Sequence, residues 1–386
     1  MKIAMIGHKR IPSREGGVEV VVEELAVRMA QKGHQIEVYN RKGSHVADKS
    51  INEGIGKLKQ YKGVRILTIP TINKKSFDAL LYSFLGTIRA LFGKYDVIHY
   101  HAEGPCVMLL IPHFLGIKTV ATIHGLDWQR AKWGGFATKY LKLGEKIAAK
   151  YADEVIVLSK NVQQYFRDTY GRETNYIPNG VNQPKLIKPD IIKNKYGLEE
   201  NGYFLFLARI VPEKGLHYLL EAFSKTDTEK KLVIAGGSSH TNEYVEEIKK
   251  MAEKDSRVIM TGFVQGKVLE ELFSNCLGYI LPSDIEGKPL SLLEALSYGC
   301  DCLVSDIDEN MEVVGEHGRH FKKSNVESLR EELQKIAAED KNRTTPRKRE
   351  FPEEVRKRFD WDCITEQHLE LYQKINSKRN KKRSGR

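Results

Sequence analysis

The chain reads as two α/β domains in tandem, each a doubly wound parallel sheet, and three observations predict it. Strand-like apolar runs alternate with helical stretches from end to end, the pattern of parallel strands joined by helical crossovers. At 386 residues the chain exceeds what one simple core holds and suits two domains. Midway lies YIPNGVNQPKLIKPD, where Pro178, Asn179 and Gly180 form turns and Pro184 and Pro189 oppose any regular element. This places a boundary at residue 180.

Taken in order, strands are expected at Lys2–Ile6, Ile36–Tyr39, Val64–Ile69, Val97–Tyr100, Thr119–Ile123 and Glu154–Leu158. The first crossover is the clearest helix: Val18, Val22, Leu25 and Met29 recur at helical spacing, and Gly33 ends the run. The second half predicts strands at Tyr203–Leu207, Lys231–Ala235, Val258–Thr261, Gly278–Leu281 and Cys302–Ser305. Open sheets of this kind bind ligands at the carboxyl ends of their strands. Two such sheets facing each other are expected to enclose a cleft.

Hydrophobic residues at 41% and charged residues at 29% describe a globular chain. No apolar run reaches the roughly 20 residues that cross a bilayer. The start, MKIAMIGHK, lacks the pattern of a signal peptide, so a cytoplasmic location is expected. Cys106, Cys276, Cys300, Cys302 and Cys363 have no zinc-type spacing and are expected to be small buried residues in a reducing compartment. The net charge of +11 calls for an anionic partner. Part of it sits in SKRNKKRSGR, residues 377–386, which is expected to be a disordered basic tail.

Four segments carry chemistry. In DIEGKPLSLLEALSYGC, residues 284–300, a strand ends and a helix begins at about Pro289. Glu286 falls in the loop and Glu294 in the helix. The backbone N–H groups of Gly287, Lys288 and Leu290 open a helix start suited to a pyrophosphate, and a carboxylate beside it can accept bonds from sugar hydroxyls. In FLFLARIVPEKGLHYLLEAF, residues 204–223, Arg209 and Lys214 stand beyond a strand end, where fixed cations would stabilise a departing diphosphate. The loop GHKRIPSREGGVEVVVEELA lacks the G-x-G-x-x-G fingerprint, but Gly16 and Gly17 open a helix and let backbone approach a ligand closely. In TIHGLDWQRAKWGG, residues 122–135, His124 ends a strand. It is either a structural histidine or a partner to a substrate hydroxyl. Asp127, Trp128, Arg130 and Trp133 follow in a loop able to shape an acceptor or sugar site.

The combination E-G-K-P-L-S-L-L-E-A, A-R-I-V-P-E-K-G and E-G-G-V-E resembles glycosyltransferase family 4 over essentially the whole chain. The resemblance implies the GT-B fold, two Rossmann-like domains whose parallel sheets face across a cleft, and a retaining reaction. It also implies that FDWDCITEQHLELYQKI forms a helix, residues 361–376, returning from the 181–360 nucleotide-sugar domain to the 1–180 acceptor-side domain. By the same resemblance Arg209 and Lys214 bind the donor diphosphate, Glu286 the donor sugar and Glu294 the ribose. Gly17 matches a glycine near the phosphates, His124 a histidine near the transferred sugar, and Gly262, Phe263 and Val264 the stretch that meets the base. Gly287-Lys288-Pro289 replaces the family's usual Gly-Phe-Gly beside the donor sugar.

P-S-R-E-G-G-V-E and T-I-H-G-L-D-W-Q-R-A-K-W further resemble a bacterial cell-surface polysaccharide subgroup that includes rhamnosyltransferases. The expected partners are a UDP-, dTDP- or GDP-linked sugar as substrate and a lipid-linked saccharide as acceptor. No cofactor, metal or nucleic acid is expected. The apolar stretch KKSFDALLYSFLGTIRALFGK, residues 74–94, carries lysines at both ends. With the basic tail, it points to an anionic membrane surface and a peripheral place at its inner face; packing on its own domain is the alternative. A GT-B epimerase or hydrolase, a nucleic-acid-binding protein and a Rossmann oxidoreductase are the rival classes. The last two lack aromatic-basic interleaving and the dinucleotide fingerprint, respectively.

Overall fold

The computed structural model describes residues 1–43, 58–73, 75–129, 134–237, 242–341 and 353–384. The chain divides into two compact units: Met1–Gly180 together with Asp360–Arg386, and Val181–Phe359.

The first unit holds β1 (Lys2–Ile6), β2 (Gln35–Arg41), β3 (Gln60–Tyr61), β4 (Val64–Ile69), β5 (Val97–His101), β6 (Thr119–Ile123), β7 (Glu154–Val157) and β8 (Asn175–Tyr176). They form one sheet in the order β3-β4-β2-β1-β5-β6-β7-β8. Every pairing is parallel except β3 with β4. The central strands β1, β5 and β6 are buried along almost their whole length, as expected of a sheet covered on both faces. The order reverses between β1 and β5, so the loops leaving those two strands flank the sheet's topological switch point.

The second unit repeats the scheme with β9 (Tyr203–Leu207), β10 (Lys231–Ala235), β11 (Val258–Gly262), β12 (Gly278–Leu281), β13 (Cys302–Ser305) and β14 (Arg319–Phe321). These are all parallel, in the order β11-β10-β9-β12-β13-β14. The switch point lies between β9 and β12. Apolar cores cover both faces, Leu205, Val233, Tyr279 and Leu293 on one and Phe204, Phe206, Leu232 and Leu329 on the other.

The helix Trp361–Ser384 packs within the first unit. Arg28 pairs with Asp362 at 3.1 Å, and Lys32 pairs with Glu366. Tyr372, fully buried, bonds His99 of β5 at 2.6 Å, and Trp361 packs on Gly180, where any Cβ would lie 2.5 Å from the indole. This helix corrects one expectation: the tail from residue 377 is helical through Ser384 rather than disordered, because the turns of Trp361–Tyr372 anchor the segment and lysine and arginine propagate a helix well once it is nucleated. Residues 385–386 lie outside the described residues.

Of the cysteines, Cys106, Cys276, Cys300 and Cys302 are buried thiols, whereas Cys363 is exposed on that last helix. Among the described residues no helix is long and apolar enough to cross a membrane.

Candidate active site

In the second unit, the segments that the sequence singles out meet at the switch point. The turn after β9 is a short 3₁₀ helix, Pro212–Lys214, and the loop after β12 runs from Pro282 to Pro289. Backbone joins them: Asp284 N–H donates to Glu213 C=O at 2.9 Å. Gly215 makes the approach feasible. Its φ is +65°, and a Cβ there would fall 2.0 Å from the Pro282 carbonyl oxygen, a position open only to glycine.

This junction brings Lys214 Nζ onto Glu286 Oε1. The same carboxylate oxygen accepts from Ser283 Oγ at 2.7 Å. Both partners are largely enclosed, their side chains 15% and 6% exposed, so the pair is preorganised and shielded from screening. The loop is anchored from below, where Ser305 Oγ donates to the Ser283 carbonyl and Asn310 Nδ2 donates to Ser305 Oγ at 3.0 Å. Asp284 is held by Ser324 Oγ at 2.7 Å and Tyr218 Oη at 3.3 Å.

The helix after this loop is Leu290–Ser297, and Pro289 is its extended N-cap rather than its first helical residue. No side chain caps it, so its first N–H groups stay available in kind for an anion. Buried Tyr279 donates to Ser291 Oγ at 2.8 Å, tying the helix start to the sheet. Glu294 lies one turn on, half-buried. Arg209, also half-buried, follows β9. Gly262, Phe263 and Val264 leave β11, with the first two exposed.

Lys288 behaves differently from an anion ligand. Its side chain is fully enclosed, Nζ 3.0 Å from Glu312 and 5.5 Å above the Phe359 ring. Burial pulls its pKa down while Glu312 opposes the shift. Only its backbone N–H could serve a ligand. The lysine thus fills a partly apolar slot with its stem.

In the first unit, Gly16 is the N-cap and Gly17 the first residue of the helix Gly17–Gln31. The space beside Gly16 is taken by the helix's own Glu19, whose Oε2 would sit 2.2 Å from a Cβ on Gly16. Burial would raise the Glu19 pKa, but the Lys9 N–H bond at 2.9 Å and the nearby lysine charge hold it below the usual range. A negative charge therefore already occupies this helix start, and any phosphate there must share it.

His124, 9% exposed, follows β6, and its Nε2 lies 3.1 Å from His101 Nδ1. Asp127 and Trp128 form a 3₁₀ turn just beyond. Trp128 Nε1 donates to Glu145 at 2.9 Å and Lys142 lies 4.1 Å above its ring, so the indole is anchored within the unit. Arg130 and Trp133 lie outside the described residues.

The sequence reading missed Glu103. It follows β5 at the switch point and is fully buried, beside Asp127 and Glu145. Burial, then the charges of Asp127 and Glu145, push its pKa far above the usual carboxylate range, so it is a neutral acid at physiological pH. Its signal is an acidic residue two places beyond a buried strand, at the strand's ligand-facing end.

Comparison with known proteins agrees with this architecture. Residues 15–183 match the family model Glycosyltransferase Family 4, and residues 189–351 match Glycosyl transferases group 1. An uncharacterized glycosyltransferase of Methanocaldococcus jannaschii is 24% identical over 338 residues, 81% of this chain and 83% of that protein. The UDP-Gal:alpha-D-GlcNAc-diphosphoundecaprenol alpha-1,3-galactosyltransferase of Escherichia coli is 28% identical over 233 residues, 56% of this chain and 59% of that protein. Among solved structures, Anabaena HepE in complex with UDP and glucose superposes with a TM-score of 0.77 at 19% identity, over 97% of this chain and 100% of that one. With one glycosyltransferase model on each half and a doubly wound parallel sheet in each unit, this chain is a glycosyltransferase of the GT-B, family 4 type.

Proposed function

We propose that the chain transfers a sugar, with retention at the anomeric carbon and without a metal, from a nucleoside diphosphate sugar to a lipid-linked saccharide in bacterial cell-surface polysaccharide synthesis. Rhamnose is the candidate sugar, from the subgroup resemblance. The observation that carries the reading is the Lys214–Glu286–Ser283 constellation beside the uncapped helix Leu290–Ser297. A cation, a carboxylate and a helix start gathered at a switch point suit a diphosphate and a sugar hydroxyl at once.

In this reading Arg209, Lys214 and the backbone of Gly287, Lys288, Pro289 and Leu290 hold the diphosphate. Glu286 accepts from donor-sugar hydroxyls, Glu294 from the ribose, and the Gly262–Val264 stretch meets the base. The anomeric carbon–oxygen bond breaks with its electron pair passing to the diphosphate, whose growing charge the fixed cations stabilise. The acceptor oxygen bonds the same face of that carbon, and its proton passes to the departing phosphate oxygen. His124 contacts the transferred sugar, and Asp127, Trp128 and Arg130 belong to the acceptor side. The Escherichia coli relative, whose acceptor is a diphosphoundecaprenol-linked sugar, supports a lipid-linked acceptor here; the UDP and glucose held by HepE support a nucleotide-sugar donor.

The membrane part of the proposal draws on the helix Lys75–Leu91. Tyr82, Thr87 and Ala90 are buried on its inner side, while Phe77 and Phe84 are 60% and 43% exposed on another. With Ile72, Leu80, Leu81 and Met108 they line an apolar hollow of about 370 Å³. A second apolar face on a helix that already packs inward fits a lipid-facing role.

The test is release of nucleoside diphosphate from UDP-, dTDP- and GDP-linked sugars in the presence of EDTA. Wild type should turn over one series, with Lys214→Ala slower by about 10²–10³-fold. No release from any series, or an undiminished Lys214→Ala rate, would overturn the reading.

A further inference from the structure

Behind His124 stands a buried row of rings, all within the first unit. His101 Nδ1 lies 3.1 Å from His124 Nε2. The His99 ring is 4.1 Å from that of His101, centre to centre. His99 is locked at both nitrogens, Nε2 on Thr122 Oγ1 at 2.7 Å and Nδ1 on Tyr372 Oη at 2.6 Å. His99, His101 and Tyr372 are fully buried. The backbone at His101 is also pinned: Gly7 passes so close that a Cβ there would lie 2.0 Å from the His101 carbonyl oxygen.

The bond between two imidazoles needs one donor and one acceptor, so it dictates which nitrogen of each ring carries the proton. His101 supplies the deciding constraint. Its Nε2 is buried and has no hydrogen-bond partner among the described residues. Orphaned buried N–H groups are rarer in folded proteins than under-satisfied acceptors, which assigns the proton of His101 to Nδ1, where it reaches His124. His124 Nε2 is then the acceptor, and its own proton resides on Nδ1. A positively charged His124 would set two N–H groups against each other.

We propose that His101 is a positioning residue that fixes His124 as a neutral Nδ1–H donor, with His99, Thr122 and Tyr372 bracing the His101 ring from behind. The inference deepens the reading of His124 as the group that contacts the transferred sugar and rests on it. It gives the last helix a part in the site, since Tyr372 lies on Trp361–Ser384.

Nitrogen-15 NMR of the full chain labelled at histidine tests this without any substrate, because the two neutral tautomers have distinct long-range N–H correlation patterns. The His124 signal is the one lost in His124→Gln. Wild type should show His124 in the Nδ1–H form. His101→Asn, whose amide can donate from the place of Nδ1, should keep it; His101→Leu should release it to a mixture. An Nε2–H His124 in wild type, or an unchanged tautomer in His101→Leu, overturns the inference. In turnover of the nucleotide sugar that wild type accepts, His101→Leu should lose about 10²-fold in kcat with donor KM unchanged. His101→Asn should recover most of that loss, and Tyr372→Phe should fall between. Equal loss in Asn and Leu would also count against the proposal. Full turnover by His124→Gln would instead defeat the role given to His124, leaving the tautomer result to stand by itself.

Discussion

Replacing Glu103 with glutamine should stabilise the first unit, and more so as pH rises. Glu103 is fully buried beside Asp127 and Glu145, with burial as the largest cause of its raised pKa. The sign follows from linkage. An unfolded chain gives up this proton above its ordinary carboxyl pKa of 4.5, while the folded chain retains it. Stability is therefore unaffected at lower pH and declines as pH rises, by about 1.4 kcal/mol per pH unit. At pH 7.5, 3 units above the ordinary value, the cost approaches about 4 kcal/mol; at pH 5.0 it is about 0.8 kcal/mol. Glutamine keeps the shape and never ionises, so Glu103→Gln should gain about 3 kcal/mol at pH 7.5 relative to its effect at pH 5.0. Taking the difference between two pH values cancels any packing change that glutamine introduces. The assay is urea unfolding followed by tryptophan fluorescence. Trp128, Trp133 and Trp361 are the chain's 3 tryptophans, and all fall in the first unit, so the signal reports that unit. A Glu103→Gln effect equal at the two pH values would mean that Glu103 is not held protonated in the folded chain.

Three further predictions concern other parts of the chain. Lys288→Met should destabilise the second unit by about 2–3 kcal/mol, because Glu312, 14% exposed, loses its 3.0 Å ammonium partner; Lys288→Met with Glu312→Gln should recover part of this in chemical denaturation, and equal losses would contradict a buried ion pair. Burial holds His8 and His368 down to about 4 and keeps His99 and His101 well below their ordinary value of 6.5. The unfolded chain takes up these protons first as pH falls below 6.5, so each histidine removes about 1.4 kcal/mol per pH unit down to its folded pKa, partly offset by Glu103; a tryptophan-monitored urea midpoint that is flat from pH 7 to 5 would contradict this. Phe77→Ser with Phe84→Ser should reduce sedimentation with phosphatidylglycerol vesicles without changing the melting temperature by more than a few degrees, and undiminished binding would remove this face from the membrane proposal.

The fold was legible because its strands are buried on both faces. Apolar runs such as Ile3–Ile6 and Tyr203–Leu207 have few alternatives to a central parallel strand. The strands that sequence missed are short edge segments without such runs: Gln60–Tyr61, Asn175–Tyr176 and Arg319–Phe321 exist through backbone pairing with a neighbour already in place. At the site, Lys214 and Glu286 were identifiable because each lies just past a strand end. That they touch follows from a strand order no spacing encodes. For Lys288 the sequence pointed only to a backbone N–H at the helix start; the burial of its side chain depends on Glu312 and Phe359, which are remote in sequence. Trp128 is held by Glu145 from the following helix, a bond that pattern alone could not assign. Glu103 carried the weakest signal of all, because a carboxylate is ordinarily a surface residue.

In the proposed function, the second unit binds a nucleoside diphosphate through Arg209, Lys214 and the Leu290 helix start. Isothermal titration of UDP, dTDP and GDP into wild type, Arg209→Ala and Lys214→Ala tests it most directly. One nucleotide should bind wild type, and each substitution should weaken it by about 1.5–3 kcal/mol, roughly 10- to 150-fold, the worth of a charged hydrogen bond. Binding of none of the three, or binding unchanged by both substitutions, would contradict it.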